Sequence, residues 1–418
     1  MVSVRVRGVV GSGERFFQDL QKEARRSESV DLELPSTVRG DAFGGVAAVM
    51  QLTATWATRF RHNSRIRTFV SGDSSDKELL ALLGSRPHLL FASLLGVGML
   101  ARDGHTDLSA RLERTARKVL AAARNEVADT RPVRGGAFST LISDGHDNIA
   151  PKWLYIDGAI SRGLIPPDER YHPLADRVLA SQKLEGGYEL DAESVSSLSW
   201  AMYELFVNTH QWATNRPIPD SDGRARFEKL RYSVRGIYAQ RHQIARSTLK
   251  QHVGENELVA HYLGQIGDSE TIDLVELSVI DTGFGITRRR AFEQFGSRSY
   301  SHAEEVIALR WALARQRTES FDHLKGIGFH RALLALTHLK GLLWVRSGHV
   351  SAIRNLIDQP YPSEQELESF RLDDRDHGWT DIDDAIGLTQ SPFSIAAADS
   401  VGTRVTLLFP AESVSRRK

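Results

Sequence analysis

Apolar and polar residues alternate along VELSVIDTGFGI (275–286), which ends in a turn that carries two glycines. In a strand, Val275, Leu277 and Val279 share one face, and Asp281 at the end of the strand falls on that same face. A carboxylate among apolar side chains costs free energy unless a partner satisfies it. That partner is either a backbone amide or arginine of the protein, or a ligand that the glycines allow to come close.

The first third of the chain has the pattern of a small α/β unit. Strands are predicted in VDLELP (30–35) and RIRTFV (65–70), with a helix in FGGVAAVMQLTATWATRF (43–60) between them. This β-α-β order favours parallel pairing of the two strands. Two further helices are expected at about residues 87–102 and 107–128.

A change of composition marks the predicted domain boundary. The sequence SQKLEGGYELDAES (181–194) combines paired glycines with acidic residues and interrupts the helical pattern. We therefore expect an N-terminal α/β domain over residues 1–185, whose role the sequence leaves open, and a second domain over residues 190–418.

A predicted helix at residues 193–214, ESVSSLSWAMYELFVNTHQWAT, carries a polar pair within a largely apolar sequence. Glu204 and Asn208 are four residues apart and therefore lie one turn apart on the same helix face. Either the two side chains form a structural hydrogen-bonded pair, or they hold a reaction centre. In the second case the Asn208 amide binds a hydrated Mg²⁺ while the Glu204 carboxylate faces a reacting water or hydroxyl.

Two other features are weak when each is taken alone. The sequence HLKGIGFHRALLAL (323–336) places Gly326 and Gly328 directly before an apolar helix, where free N–H groups and the positive helix end suit an anion. Many ordinary loops, however, also enter helices through glycines. In GTRVTLLFP (402–410), Thr403 shares a strand face with three apolar residues, although threonine is also a common strand former.

The composition of the 418-residue chain is that of a globular protein, with 41% hydrophobic and 25% charged residues. Lys+Arg and Asp+Glu number 53 each, so no overall basic charge indicates nucleic-acid binding. The absence of cysteine excludes disulfides, thiolate zinc sites and cysteine nucleophiles. The apolar stretch HLLFASLLGVGML (88–100) is too short and too rich in glycine to span a bilayer. We therefore expect a soluble, cytoplasmic protein without a membrane partner.

Two further patterns are explained without a ligand. The sequence VRVRGVVGSGERF (4–16) has the glycine order GxxGxG instead of GxGxxG, so a strand, a turn and a helix start are expected there. The acidic sequence RLDDRDHGWTDIDDAIG (371–387) is expected to be a solvated loop rather than a metal site. The 15 histidines show no paired spacing that favours a zinc hydrolase.

Taken in chain order, the helix with Glu204 and Asn208, the turn DTGFG, the turn GIG and the strand GTRVTLLFP resemble the ATP-binding domain of the GHKL superfamily. This superfamily includes DNA gyrase, the large heat-shock chaperone, histidine kinases and the mismatch-repair ATPases. The resemblance covers residues 190–410. It implies an α/β sandwich in which a mixed sheet is covered on one face by helices, with ATP between the helices and a mobile lid.

The resemblance also implies a role for each matching residue, with ATP and Mg²⁺ as the ligands. Asp281 would bind the adenine amino group, and Thr403 would support that contact through water. Glu204 would be the catalytic base and Asn208 the Mg²⁺ ligand. The glycines would lie close to the nucleotide, Gly283 and Gly285 by packing against it, and Gly326 and Gly328 by meeting the phosphates.

The segment between the two glycine turns, residues 287–325, would form the lid. Gyrase-like and chaperone-like members take a phosphate-contacting lysine from a following domain, whereas eight residues follow Pro410 here. We therefore expect this cation to come from the lid, from the N-terminal part or from a partner. The candidates in the lid are Lys325, Arg298, Arg315 and Arg317.

Three functions agree with these motifs. The first is an ATPase whose nucleotide state controls a protein partner or a second copy of the chain, because Glu204 matches the base of hydrolytic members. A protein serine kinase of the anti-sigma type carries the same glutamate, and the N-terminal β-α-β pattern is similar to the STAS-like fold of the antagonists on which such kinases act. The third is an interaction module in which ATP closes the lid with negligible turnover.

Overall fold

The computed structural model describes the chain apart from residues 1, 7–13, 39–42, 124–136, 144–149, 156–164, 166–170, 182–187, 220–224, 230–232, 250–256, 297–299, 314–327, 363–392 and 418. The described residues form a mixed α/β structure, built around one parallel and one antiparallel sheet. No described helix is both long enough and apolar enough to cross a membrane.

The elements follow one another with these bounds. The strands are β1 (Val2–Arg5), β2 (Val30–Glu33), β3 (Ile66–Arg67), β4 (Met99–Leu100), β5 (Phe138–Ser143), β6 (Tyr188–Leu190), β7 (Asn215–Pro219), β8 (Ala225–Lys229), β9 (Val234–Ala245), β10 (Thr271–Asp281), β11 (Leu342–Asn355), β12 (Phe393–Pro410) and β13 (Ser415–Arg417). The helices are α1 (Glu14–Ala24), α2 (Gly45–Phe60), α3 (Asp76–Ser85), α4 (Pro87–Leu94), α5 (Ser109–Ala122), α6 (His172–Ser181), α7 (Ala192–Ala213), α8 (Glu257–Gln265), α9 (Ile286–Phe295), α10 (His302–Leu313) and α11 (Gly328–His338).

The parallel sheet contains the four N-terminal strands in the order β1-β2-β3-β4, and every neighbouring pair is parallel. The predicted β-α-β pattern is confirmed, because β2, α2 and β3 form within the expected segments. The helix expected at 87–102 is shorter than predicted: it ends at Leu94, and β4 follows. Gly96 has a φ of 64°, which lies outside the right-handed helical region and interrupts the helix.

Helix α3 was not predicted, although its sequence contains a start signal. Ser75 and Glu78 form a capping box, in which the serine side chain accepts from the Glu78 N–H and the glutamate side chain accepts from the Ser75 N–H. This arrangement satisfies N–H groups that the first turn of a helix leaves unpaired.

The antiparallel sheet has the strand order β11-β12-β10-β9-β5. All of its described pairs are antiparallel, where the resemblance implied a mixed sheet. Helices α7 and α11 pack against each other over one face, and α1 and α2 contact the sheet through β12. Helices therefore contribute to both faces, whereas one covered face was expected.

Helix α2 lies between the two sheets. It contacts β2 and α4 on one side and β10 and β12 on the other, and almost all of its residues are buried. A largely apolar helix fits this position because most of its surface is shielded from water. The buried Gln51 side chain donates to the backbone oxygens of Arg346 at 3.2 Å and Val401 at 3.4 Å, which ties the helix to the antiparallel sheet.

The core continues across the predicted boundary near residue 185. Strand β5 precedes that boundary but pairs with β9 in the antiparallel sheet. Leu141, Val234 and Ile280 belong to the same buried cluster as the apolar residues of α2. The N-terminal part and the antiparallel sheet are therefore joined by a common apolar core, which the local composition of residues 181–194 did not indicate.

Candidate functional site

A pocket lies where the end of β10 meets helix α7 and the start of α9. Counting its mouth, it contains about 400 Å³ of empty space, of which the centre of a water molecule reaches about 30 Å³. Asn208, Asp281, Gly285 and Thr403, all predicted as site residues, line it together. The apolar part of the lining includes Leu205, Val279, Phe329 and Val405.

Asp281 has the inward position predicted from the strand alternation, and its two carboxylate oxygens differ in their partners. Oδ1 accepts from the backbone N–H groups of Gly283 at 2.8 Å and Thr403 at 3.3 Å. Oδ2 accepts no hydrogen bond from any residue that the structure describes. Backbone amides therefore satisfy one oxygen, and the other is available to a ligand in the pocket.

Burial raises the pKa of Asp281 to about 7, against the opposing effects of the two N–H donors and of the Arg235 charge. Arg235 lies opposite Asp281 on the neighbouring strand β9. Its guanidinium is 3.4 Å from the backbone oxygen of Thr209 and from Nδ1 of His210 on helix α7. The charge of the pocket therefore depends on pH near neutrality.

Thr403 connects the pocket to the start of helix α9. Its hydroxyl accepts from the backbone N–H of Ile286 at 2.9 Å and donates to Oγ of Ser347 at 3.4 Å. The Ser347 hydroxyl in turn accepts from the backbone N–H of Thr287 at 3.4 Å. Thr403 therefore has a structural function in positioning α9, whatever its contact with a ligand.

The glycines of the first turn approach other parts of the protein. A Cβ on Gly283 would lie 2.5 Å from Cα of Ala213, so this glycine allows the turn to pack against α7. Gly285 has a φ of 87°, and a Cβ there would lie 3.0 Å from the backbone oxygen of Gly402. Of the two, only Gly285 lines the pocket. Gly283 thus packs against a helix of the protein, and its contact with a nucleotide stays a prediction.

Asn208 reaches the pocket from helix α7, which Asp191 caps by accepting from the Ser194 N–H at 3.0 Å. Within the described part of the chain, the Asn208 side chain makes no hydrogen bond. The structural pair with Glu204 that the sequence allowed is therefore not formed there. An amide without a partner at a pocket wall is available to a ligand or to a metal ion.

Glu204 is buried against helix α11 and does not line the pocket. Its Oε1 atom accepts from Nη1 of Arg331 at 3.0 Å, and the Arg331 guanidinium lies 4.3 Å from the centre of the Trp200 ring. This ion pair holds the Glu204 carboxylate against helix α11. Arg331 was not predicted as a partner of Glu204, because the contact joins residues 127 positions apart.

The second glycine turn is described only in part. Gly328 begins helix α11, and the following Phe329 lines the pocket. The N-terminal end of this helix therefore lies beside the pocket, as the anion prediction requires. Gly326 and the candidate cations Lys325, Arg298, Arg315 and Arg317 lie outside the described residues, as does the acidic sequence at 371–387.

The described part of the predicted lid consists of helices α9 and α10, and both contact the antiparallel sheet. On α9, Arg288 pairs with Asp399 of β12. On α10, Glu305 accepts from Nδ1 of His349 at 3.0 Å and from its backbone N–H at 2.7 Å. These pairs fasten both helices to the sheet in this structure, while movement of the segment stays a prediction.

No group of three or more His, Cys, Asp or Glu side chains in the described part of the chain could hold a metal ion. A Mg²⁺ ion at Asn208 would therefore take most of its ligands from phosphate oxygens and water, which suits the ligand preferences of this ion. The free amide of Asn208 and the available Oδ2 of Asp281 fit a bound Mg-nucleotide. Comparison of the chain with models of protein families, with curated proteins and with solved structures finds no match in any of the three.

Proposed function

We propose that the protein binds Mg-ATP in this pocket and hydrolyses it, and that its nucleotide state controls a protein partner or a second copy of the chain. The observation that carries the proposal is Asp281, which is buried and has one oxygen without a described partner. A buried acceptor of this kind is costly unless a donor reaches it. The exocyclic amino group of adenine is such a donor.

The other end of the pocket suits the phosphates. Helix α11 begins at Gly328 beside the pocket, so its positive end and free N–H groups favour an anion there. Asn208 on the facing helix α7 would hold Mg²⁺, whose charge, when the ion is bound, neutralises that of the phosphate oxygens. The order along the pocket is then adenine at Asp281 and phosphates near Asn208 and Gly328.

Entry of a purine ring requires the pocket to open, because so little of its space admits even a water molecule. Ile286 and Phe329 line the pocket at the first turns of α9 and α11. They border the predicted lid segment on both sides. Movement of 287–325 is therefore the change that we associate with nucleotide binding.

Glu204 is the candidate base for hydrolysis. Its carboxylate would accept a proton from water as the water oxygen bonds to the γ-phosphorus and the bond to the ADP oxygen breaks. Because Arg331 donates to the Glu204 carboxylate at 3.0 Å, we expect this contact to loosen when Glu204 accepts the proton during turnover. In the kinase alternative a serine hydroxyl replaces the water, so incubation with candidate protein substrates and assay for phosphoserine distinguish the two reactions.

Replacing Asp281 by asparagine is expected to weaken ATP binding by about 1–3 kcal/mol. The N–H groups of Gly283 and Thr403 continue to require an acceptor at Oδ1, so the asparagine Nδ2 takes the place of Oδ2 and turns a donor towards the adenine amino group. Calorimetric titration with ATP and Mg²⁺ measures the change.

The matched control is Asp273→Asn, on the same strand, where the carboxylate pairs with Arg241 far from the pocket. This variant should bind ATP like the wild type. Equal ATP affinities for the wild type and Asp281→Asn would show that Asp281 does not recognise adenine.

ATP affinity is expected to rise with pH between 6 and 8. The ionised carboxylate is the better acceptor for the adenine amino group, and burial holds the pKa of Asp281 at about 7 in the free protein. ATP affinity is therefore highest above this pKa. It falls as the pH drops through the pKa, by about tenfold between pH 8 and pH 6. Calorimetry in buffers of different ionisation enthalpy measures the proton release, which Asp281→Asn should abolish.

One observation favours the non-hydrolysing module as a second candidate. The ion pair between Glu204 and Arg331 occupies the candidate base with a structural contact between helices α7 and α11. If that contact persists when ATP is bound, the nucleotide acts only through the change of conformation. Phosphate release by the purified protein at saturating Mg-ATP distinguishes the two functions.

A further inference from the structure

A larger cleft lies at the carboxyl ends of the parallel strands and shares no lining residue with the pocket. Counting its mouth, it contains about 1590 Å³ of empty space, and the centre of a water molecule reaches about 810 Å³ of it. Its walls are formed by residues at or just after the ends of β1, β2, β3 and β4.

Three arginines and one carboxylate line this cleft. Arg5 pairs with Glu33 at 2.6 Å, and Arg67 pairs at 3.2 Å with Asp31, which is buried behind it. Arg102 forms no ion pair with any residue that the structure describes. With Glu33 and Asp31 both counted, the cleft has one more cation than anions, and Arg102 is the cation available to a ligand.

Hydroxyl groups and an aromatic ring complete the lining. Ser36 and Thr37 belong to the loop after β2, and Phe69 follows β3. Pro35, directly before Ser36, is held because Nε2 of His88 donates to its backbone oxygen at 2.9 Å. Burial lowers the pKa of His88 to about 4, so the ring stays neutral at physiological pH. A loop that is already positioned loses less entropy when a ligand binds.

We propose that this cleft binds a small phosphate monoester, with its phosphate on Arg67 and Arg102 and its uncharged part against Phe69. The planar guanidinium group matches the oxygens of a phosphate, and the hydroxyls of Ser36 and Thr37 add donors. A phosphate monoester carries about two negative charges at neutral pH, so its attraction to the surplus charge of Arg102 exceeds that of a neutral sugar. This site gives the N-terminal part a binding function of its own, independent of the ATP pocket.

Calorimetric titration of the full chain with ribose 5-phosphate at low ionic strength tests the proposal. Saturable binding is expected, and Arg102→Gln should weaken it by at least about tenfold. Arg102 has no described ion pair, so its replacement should leave the melting temperature unchanged. The control is Arg26→Gln, an exposed arginine before the amino end of β2, which should bind like the wild type.

Four results would overturn the proposal. Ribose without phosphate should not bind, and binding of ribose would show that the charges are not recognised. Equal affinity of Arg102→Gln and the wild type for ribose 5-phosphate would show that Arg102 does not bind the phosphate. The absence of a saturable heat with this ligand would show that the cleft does not bind it. Loss of binding in Asp281→Asn would place the ligand in the other pocket, whereas unchanged binding there supports the cleft.

Discussion

Replacing Glu204 by glutamine is expected to lower steady-state ATP hydrolysis by about 10²–10⁴-fold, the usual contribution of a general base. Glutamine keeps an oxygen that can accept from Arg331, so the contact between α7 and α11 and the affinity for Mg-ATP should survive. The amide, however, cannot take up the proton of the attacking water. Phosphate release at saturating Mg-ATP gives the rate, and calorimetry gives the affinity.

Two other variants make this experiment specific. Glu193→Gln changes an exposed carboxylate on the same helix and should hydrolyse ATP at the wild-type rate. Asn208→Ala removes the candidate metal ligand and should weaken Mg²⁺-dependent binding as well as turnover. Hydrolysis by Glu204→Gln at the wild-type rate would refute the catalytic role and leave the ATP-gated module as the better hypothesis.

Replacing Gly402 by alanine is expected to lower the free energy of unfolding by about 2–5 kcal/mol, the sum of the left-handed backbone cost and of overpacking. Gly402 has a φ of 71°, and a Cβ there would overlap the backbone oxygen of Asp281 and lie 3.1 Å from Cα of Thr282. The strands must separate to accept it. Urea unfolding followed by circular dichroism measures the loss.

Gly267→Ala separates the two causes of this effect. Gly267 also has a positive φ, 47°, but a Cβ there would meet nothing within 4 Å. It should therefore show only the backbone cost, about 1–2 kcal/mol. If Gly402→Ala is no more destabilising than Gly267→Ala, the close approach of β12 to Asp281 is not as tight as described.

Local patterns predicted which residues point inwards. The alternation of β10 placed Asp281 with Val279, and the alternation of β12 placed Thr403 with Val405, and all four line the pocket. Such predictions succeed because the side-chain direction in a strand follows from its period of two residues.

Contacts between distant segments were not predictable in the same way. The sequence showed that Glu204 lies on an apolar helix, but not that Arg331 would face it, since that depends on how α7 and α11 pack. The resemblance implied that Gly283 packs on the nucleotide, but nothing in the sequence showed that Ala213 lies against it. Strand β5 pairs in a sheet formed mainly by residues after 230. The change of composition near residue 185 could not show that this earlier strand belongs to that sheet. Periodicity identifies a buried face but not the segment that covers it.

Recognition of adenine by Asp281 is tested most directly by comparing ATP with ITP, which has an oxygen acceptor where ATP has the amino donor. Calorimetry on the wild type and Asp281→Asn gives four affinities. We expect the wild type to bind ATP about tenfold or more tightly than ITP, because the Asp281 oxygen repels the ITP oxygen. In Asp281→Asn the Nδ2 donor faces the pocket, so the preference should disappear or reverse. The same preference for ATP in both proteins, or no preference in the wild type, would contradict adenine recognition by Asp281.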